Sequence, residues 1–412
     1  MADSREMRSV WWRAVALLAL CAAAAGCSRR APPSRGVDPD LANPKLQYTP
    51  LAPGIERAAF SRAQPPLAYH VVRIDLQEPT VRLGALKTRV GGARGKETLA
   101  EMAQAADGNG RRVVAAINGD YFGAGTPGPW GLHAEKGRLL YSPEGRSAFL
   151  VDPENRPLIA RPRTTLQVQV EGDPAWRDIR DLNRPRTGDA EGLHLYAQAL
   201  GPTLTVPATR GAVAIATELP RINGVVTGQV VRVFSDGAPV AIPDTGLLLA
   251  CGGGAASPAL TNGFRPGVTV RIRTTLTPAA TEAVGGGPQI ARDGKASLEL
   301  AEDGIGAAEK AYLRRNHPRA VAGVSRDGRY VYLVGIKGRS DESLGLGLED
   351  TADLMVGIGA GDAVMFDGGD SATLYANGDY LVRGRGGPRA MCNGLAVFST
   401  APAGQPQPGG TP

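Results

Sequence analysis

Apolar residues recur along this chain at two distinct periods. Tyr69-His70-Val71-Val72-Arg73-Ile74-Asp75-Leu76 alternates as a half-buried strand does, while Val113 to Ile117 and Ala363 to Phe366 read as short buried strands. Thr98 to Ala106 reads as a helix, with Thr98 placed to cap it and Glu101 three residues on. Leu348, Ala352, Met355 and Ile358 recur at helical spacing, Asp350 and Asp353 face outward, and Gly359 and Gly361 end the run. Three hairpins are predicted. Phe149 to Ile159 folds around Asp152-Pro153-Glu154-Asn155, Val321 to Ile336 around Arg326-Asp327-Gly328, and Thr373 to Val382 around Asn377-Gly378. Together these elements predict an α+β fold, with mixed or antiparallel sheets and a few packed helices in one large domain over 67–398.

Composition narrows the class. The 412 residues are 42% hydrophobic and 21% charged, as in a soluble globular protein, and 55 glycines with 32 prolines imply many turns. The net charge of +6 is spread among acids with no basic run longer than a pair, so a solvated surface explains it better than a nucleic-acid groove. No nucleic-acid partner is expected.

The ends lie outside this pattern. Arg5, Arg8 and Arg13 precede an apolar stretch from Ala14 to Ala25, followed by Gly26 and Cys27, which describes a secretory signal over 1–26. A cysteine directly after Ala-Gly resembles the bacterial lipoprotein signal, which implies lipidation at Cys27, a membrane contact through that anchor and a place in the cell envelope. Ser28 at the next position favours an outer membrane where the cell has one. Residues 27–66, rich in Pro, Arg and Ala, read as a flexible tether, and 399–412 as a disordered tail. Cys251 and Cys392 remain for the domain, either as a disulfide or as two buried thiols. Neither Cys/His spacing nor the four dispersed histidines supports a zinc site.

Candidate chemistry concentrates at two strand ends. One is Ala116-Ile117-Asn118-Gly119-Asp120-Tyr121-Phe122, and the other is Met365-Phe366-Asp367-Gly368-Gly369-Asp370-Ser371-Ala372-Thr373. Carboxylates at the end of a buried strand are held rigidly, and adjacent glycines let the backbone approach a ligand. Both also read as plain Asn-Gly or Asp-Gly turns, with Ser371 and Thr373 as turn hydroxyls. Between them lie Gly285-Gly286-Gly287-Pro288, His317-Pro318-Arg319 and Lys337-Gly338-Arg339-Ser340.

With these motifs in order, the chain resembles the phosphodiester glycosidase family over roughly residues 113–398. Asn118 to Phe122, Asn183-Arg184-Pro185-Arg186, Gly285 to Pro288, Arg319 to Gly323 and Asp367 to Thr373 carry the resemblance. Two positions depart from it. Lys337 stands where the family's Asp-Gly-Arg has its carboxylate, and Asp370 stands where glycine is common.

The resemblance implies hydrolysis of sugar-1-phosphodiester linkages, here in polysaccharide or cell-wall polymers. Such a reaction needs a carboxylate at the anomeric carbon and cations on the phosphate. Asp367 is the expected nucleophile or base, with Asn118 and Asp120 as further catalytic residues positioning sugar hydroxyls or water. Arg319 and Arg339 form the expected phosphate clamp, since a guanidinium grips two oxygens at once. Each also reads as a surface ion-pair partner. Gly368, Gly369, Asp370, Ser371 and Thr373 complete the binding set, with the glycine amides as an anion nest. His317 reads as a loop histidine outside this set. No cofactor is required. A rival reading gives Asp120, Asp367 and Asp370 a divalent metal and P–O cleavage, and another leaves a glycan-binding protein with altered chemistry.

Overall fold

The structure, a computed structural model, describes residues 36–89, 96–123, 128–184, 192–198, 205–206, 211–234, 240–243, 245–252 and 263–402. The signal stretch and Cys27 lie outside the described residues, as do Pro185 and Arg186. Residues up to Val37 fall in a separate unit, and Asp38 onward forms one compact unit. No helix among the described residues is long and apolar enough to cross a membrane.

Two sheets make a sandwich. The larger runs in the spatial order Thr49–Ala52, Ile55–Ala63, Pro66–Asp75, Tyr330–Ile336, Arg319–Ser325, Ala360–Met365, Gln289–Arg292 and Lys295–Ala296. The smaller has Asp379–Val382, Leu374–Ala376, Arg112–Asn118, Asn393–Ser399 and Val81–Lys87. Their inner faces interdigitate through Val72, Ile74, Leu333, Ala322 and Phe366 on one side and Leu83, Ile117, Leu374 and Val397 on the other, all buried. This is the core expected of two packed sheets, each alternating inward apolar with outward residues.

Helices cover the outer faces. The helix Leu348–Gly357 buries Leu348, Ala352, Leu354 and Met355 against the larger sheet. The helix Leu99–Ala106 lays Leu99, Met102 and Ala103 on the smaller one, capped by the reciprocal Thr98–Glu101 box.

A second lobe is a closed seven-stranded barrel of Arg163–Val170, Arg177–Leu182, Gly192–Ala197, Leu247–Gly252, Ala212–Ala216, Gly224–Phe234 and Thr269–Thr277. Closure removes the edges that open strands would leave unpaired. A further sheet containing His133–Glu135, Ala148–Val151 and Glu282–Gly285 adjoins it and shares its core.

Two expectations need correction. The α+β class is wrong: the molecule is 49% strand and only 10% helix, so it is a mostly β protein. Among the described residues the longest helix has ten residues, because the apolar runs are short, β-branched and closed by Gly or Pro. The tether over 27–66 is also wrong for its described part. Pro39–Ala42 is a helical turn, and Ile55–Ala63 pairs along its whole length with Pro66–Asp75. Ile55, Ala58 and the stacked ring of Phe60 on Tyr69 supply the apolar side that a free linker lacks.

Candidate active site

The Arg112–Asn118 and Ala360–Met365 strands end at the same rim of the sandwich, and Asn118 ties them together. Its Nδ2 donates to the Asp367 carbonyl at 2.8 Å, while its Oδ1 accepts from the Thr373 amide at 2.9 Å. The Asp367 amide in turn donates to the Gly119 carbonyl at 2.9 Å. Asn118 is buried and its side chain is fully engaged, so it positions Asp367 and does not face a ligand.

Asp367 is partly buried. Burial pushes its carboxyl up to about 6, against the opposing pull of the Ser371 hydroxyl, the Arg389 charge and the Gly368 amide. The Ser371 Oγ is itself buried and makes no hydrogen bond of full geometry. Its hydroxyl leans on the Asp367 carboxyl, in a bond short of full geometry.

Asp120 is more deeply placed, and burial pushes it up to about 7. Its Oδ1 accepts from the Tyr121 amide at 2.7 Å and its Oδ2 from the Gly131 amide. The Asp120 amide donates to Asn393 Oδ1 at 2.9 Å. A side chain at either Gly131 or Gly285 would collide with this carboxylate, which explains the first glycine of the Gly285–Pro288 run. Asp120 thus braces two loops.

Arg319 is 1% exposed, yet among the described residues it has no carboxylate within ion-pair range. Nε donates to the Leu346 carbonyl at 3.0 Å, and Nη2 to those of Leu313 and Arg315 at 2.6 and 2.9 Å. Burial pulls its pKa down to about 10, with the neighbouring Arg339 charge in the same direction. A guanidinium held by carbonyls keeps most of its charge uncompensated, here opposed by the more distant Glu349, and such a charge attracts anions.

Arg339 is differently balanced. Nη1 pairs with Asp370 at 3.1 Å, and Nη2 reaches the Tyr312 hydroxyl at 3.0 Å and His317 Nδ1 at 3.3 Å. Because a guanidinium only donates, Nδ1 is the acceptor and the neutral His317 ring carries its proton on Nε2. That nitrogen is buried and makes no bond of good geometry, although the Tyr312 carbonyl nearby favours the charged ring. Burial and the two arginines hold His317 below the usual histidine range, and its ring stacks on Tyr312 with centroids 4.3 Å apart.

The remaining expected members play other parts. The Gly369 amide is taken by the Pro318 carbonyl at 2.9 Å and the Gly368 amide leans on Asp367, so the two form no free anion nest. The Thr373 hydroxyl bonds the Ser371 carbonyl at 3.0 Å and is fully buried, so it is a turn hydroxyl. Asp120, Asp367 and Asp370 do not converge: among the described residues no three His, Cys, Asp or Glu side chains come together as a metal set. Lys337 pairs with Glu342 at 2.8 Å. Cys251 and Cys392 are separate buried thiols. Cys392 is raised to about 12 by burial, with Asp120 and Asp367 adding to the effect.

Residues outside the expected set join the site. Tyr121 senses both Asp367 and Arg319, and its hydroxyl donates to the Gly287 carbonyl at 2.8 Å. His317, Tyr312, Arg389 and Arg146 also gather here. Nothing in their spacing marks them, apart from His317 standing two residues before Arg319.

Residues 221–398 match the model of the phosphodiester glycosidase family. The resemblance carried by the motifs therefore holds for that stretch, which includes Arg319, Arg339 and the whole Asp367 turn, whereas Asn118 and Asp120 precede it. A solved hypothetical protein of Synechocystis shares the fold at a TM-score of 0.69, with 21% identity over 86% of this chain and 64% of its own. This chain thus spans less than two thirds of that protein's length. An exported-protein candidate of Burkholderia pseudomallei gives 0.62 and 20%, over 81% and 74% of the two chains. The zebrafish N-acetylglucosamine-1-phosphodiester alpha-N-acetylglucosaminidase catalytic domain, at 0.43 and 13% over 86% and 87%, is too slight a likeness to argue from. No curated protein matches the chain.

Proposed function

We propose that this protein is a hydrolase of sugar-1-phosphodiester linkages, exported and held at the cell envelope through Cys27, acting on polysaccharide or cell-wall polymers. The observation that carries the reading is the buried Arg319 guanidinium, which has no carboxylate in ion-pair range among the described residues, together with the partly buried Asp367 carboxyl, Tyr121 feeling the charge of both. The family match over 221–398 supports the reaction class.

In this reading the phosphate sits on Arg319, with Arg339 and the Ser371 hydroxyl as further donors. A phosphate monoester leaves readily once its charge is held, so little general acid is needed. Asp367, ionised above pH about 6, faces the anomeric carbon as nucleophile or as base for water. Water adds to that carbon and passes its proton to the Asp367 carboxylate, directly or after the covalent intermediate, the bond from carbon to phosphate oxygen breaks, and the leaving phosphate keeps the electron pair. Asn118 and Asp120 act as positioning residues. Among the described residues the divalent-metal rival finds no converging donor set. One feature favours altered chemistry instead: Asp370 already occupies one arm of Arg339, which weakens the second half of the clamp.

The test is product identification with UDP-N-acetylglucosamine. Free N-acetylglucosamine plus UDP supports the proposal, and N-acetylglucosamine-1-phosphate plus UMP overturns it.

A further inference from the structure

Trp130 is 44% exposed, although its neighbours Gly128, Pro129, Gly131 and Leu132 are all buried. A lone exposed apolar residue is ordinary on a protein surface. This one is held unusually firmly. The buried Arg184 grips the carbonyls on both sides of it, Nη1 on Pro129 at 2.9 Å and Nη2 on Gly131 at 2.8 Å. The Asp120 carboxylate takes the amides of both Tyr121 and Gly131, and the Trp130 amide donates to the Tyr121 carbonyl at 2.9 Å. Gly128 lies so close to the Tyr141 ring that no side chain fits there. One carboxylate and one guanidinium therefore fix Tyr121 and Trp130 as a pair, with rings 6.3 Å apart and inclined by 28°.

The Arg146 guanidinium lies 5.5 Å from the Tyr121 ring and 5.9 Å from the Trp130 ring. Its Nη2 pairs with Glu309 at 3.1 Å, but its Nη1 is buried without a hydrogen-bond partner among the described residues. Tyr121 in turn senses the charges of Asp367 and Arg319. A firmly held aromatic pair, Trp130 half exposed and Tyr121 partly buried, thus carries an arginine over its rings, and Tyr121 feels the charge of Asp367.

We propose that Trp130 and Tyr121 are a stacking platform for a pyranose ring of the substrate, with Arg146 Nη1 donating to one of that ring's oxygens. This rests on the reading of the Asp367 site as one for glycosyl phosphates. The apolar C–H face of a sugar packs on an indole, while its edge hydroxyls need placed donors. Rigid presentation lowers the ordering cost of binding. The Asn183-Arg184 motif then gains a role: Arg184 is a positioning residue for the platform.

The test is binding, so it does not depend on turnover. Calorimetry on the full chain would compare glucose-, galactose-, mannose- and N-acetylglucosamine-1-phosphate with inorganic phosphate, for wild type, Trp130→Ala and Trp130→Phe. We expect at least one sugar phosphate to lose about tenfold in affinity in Trp130→Ala and about twofold in Trp130→Phe, with phosphate binding unchanged. Absence of any Trp130-dependent binding across the panel overturns the platform, as does an equal loss for inorganic phosphate. Failure of the hydrolase reading would show separately, as sugar-phosphate binding without Asp367-dependent turnover.

Discussion

The two rims of the sandwich contrast in how their charges are settled. At the rim away from Asp367 lies a hollow of about 640 Å³, lined among others by Arg82, Arg156, Arg329, Asp152 and Asp327. There Arg329 pairs with Asp75 at 2.6 Å, and Arg156 pairs with Asp152 at 2.6 Å and Glu154 at 2.9 Å. At the Asn118 rim, among the described residues, Arg319 is buried without a carboxylate in ion-pair range, and the Ser371 hydroxyl, His317 Nε2 and Arg146 Nη1 lack bonds of full geometry. The far hollow has its own partly buried carboxyl, Glu282, raised to about 7, but its Arg156 and Arg329 sit on carboxylates, while the Asn118 rim holds donors without bonds of full geometry near Asp367. Unpaired buried charge is the feature on which the proposed site rests.

The contrast breaks most readily at Asp367. Asp367→Asn should lower turnover of a sugar-1-phosphodiester by about 10³-fold or more, while Arg156→Ala at the far rim should leave it unchanged in the same assay. Near-normal turnover in a folded Asp367→Asn protein would sink the assignment.

Stability gives the same residue a second readout. Because its carboxyl is raised from the usual 3.8 to about 6, the folded chain binds this proton more tightly than the unfolded chain. The resulting stabilisation is full below about pH 4 and is lost as pH rises through 6. Asp367→Asn should therefore gain about 1–3 kcal/mol over wild type at pH 7.5 by urea unfolding, and nothing at pH 4. For activity the sign reverses: kcat/KM should rise with pH across about 6, as the carboxylate forms.

Arg319→Met sharpens the contrast from the cationic side. It leaves the carbonyls of Leu313, Arg315 and Leu346 without this donor, and should cost about 2–4 kcal/mol in the same unfolding assay. Inhibition by inorganic phosphate should also be lost. The smallest effect is expected from Asp370→Gly, which frees one arm of Arg339. Phosphate should then inhibit up to about fivefold more tightly, in line with a partly exposed ion pair.

Much of this rim was legible in the sequence, because strand, Asp-Gly-Gly turn and hairpin are local patterns. The Asp367 turn, the Thr98 cap and the Asn377-Gly378 hairpin all follow from neighbours within a few residues. What each side chain touches is not local. Asn118, expected at the substrate, stitches residues about 250 positions away, as its bonds to Asp367 and Thr373 show. The Gly369 amide, expected in a nest, meets the Pro318 carbonyl from another strand. The barrel escaped for a different reason. Thr269–Thr277 alternates Val270, Ile272 and Leu276 inward with Arg271 and Arg273 outward, but a period of two does not say which distant strand closes the ring. Trp130 gave no sign beyond its glycine and proline neighbours, since the arginine that clamps it stands more than fifty residues on.

Hydrolysis of UDP-N-acetylglucosamine in H2(18)O, read by mass spectrometry of the nucleotide, tests the central claim most directly. If Asp367 and Arg319 serve attack at the anomeric carbon, UDP leaves unlabelled and the sugar carries the heavy oxygen. A heavy oxygen on the nucleotide or sugar phosphate would mean attack at phosphorus, and would contradict the account.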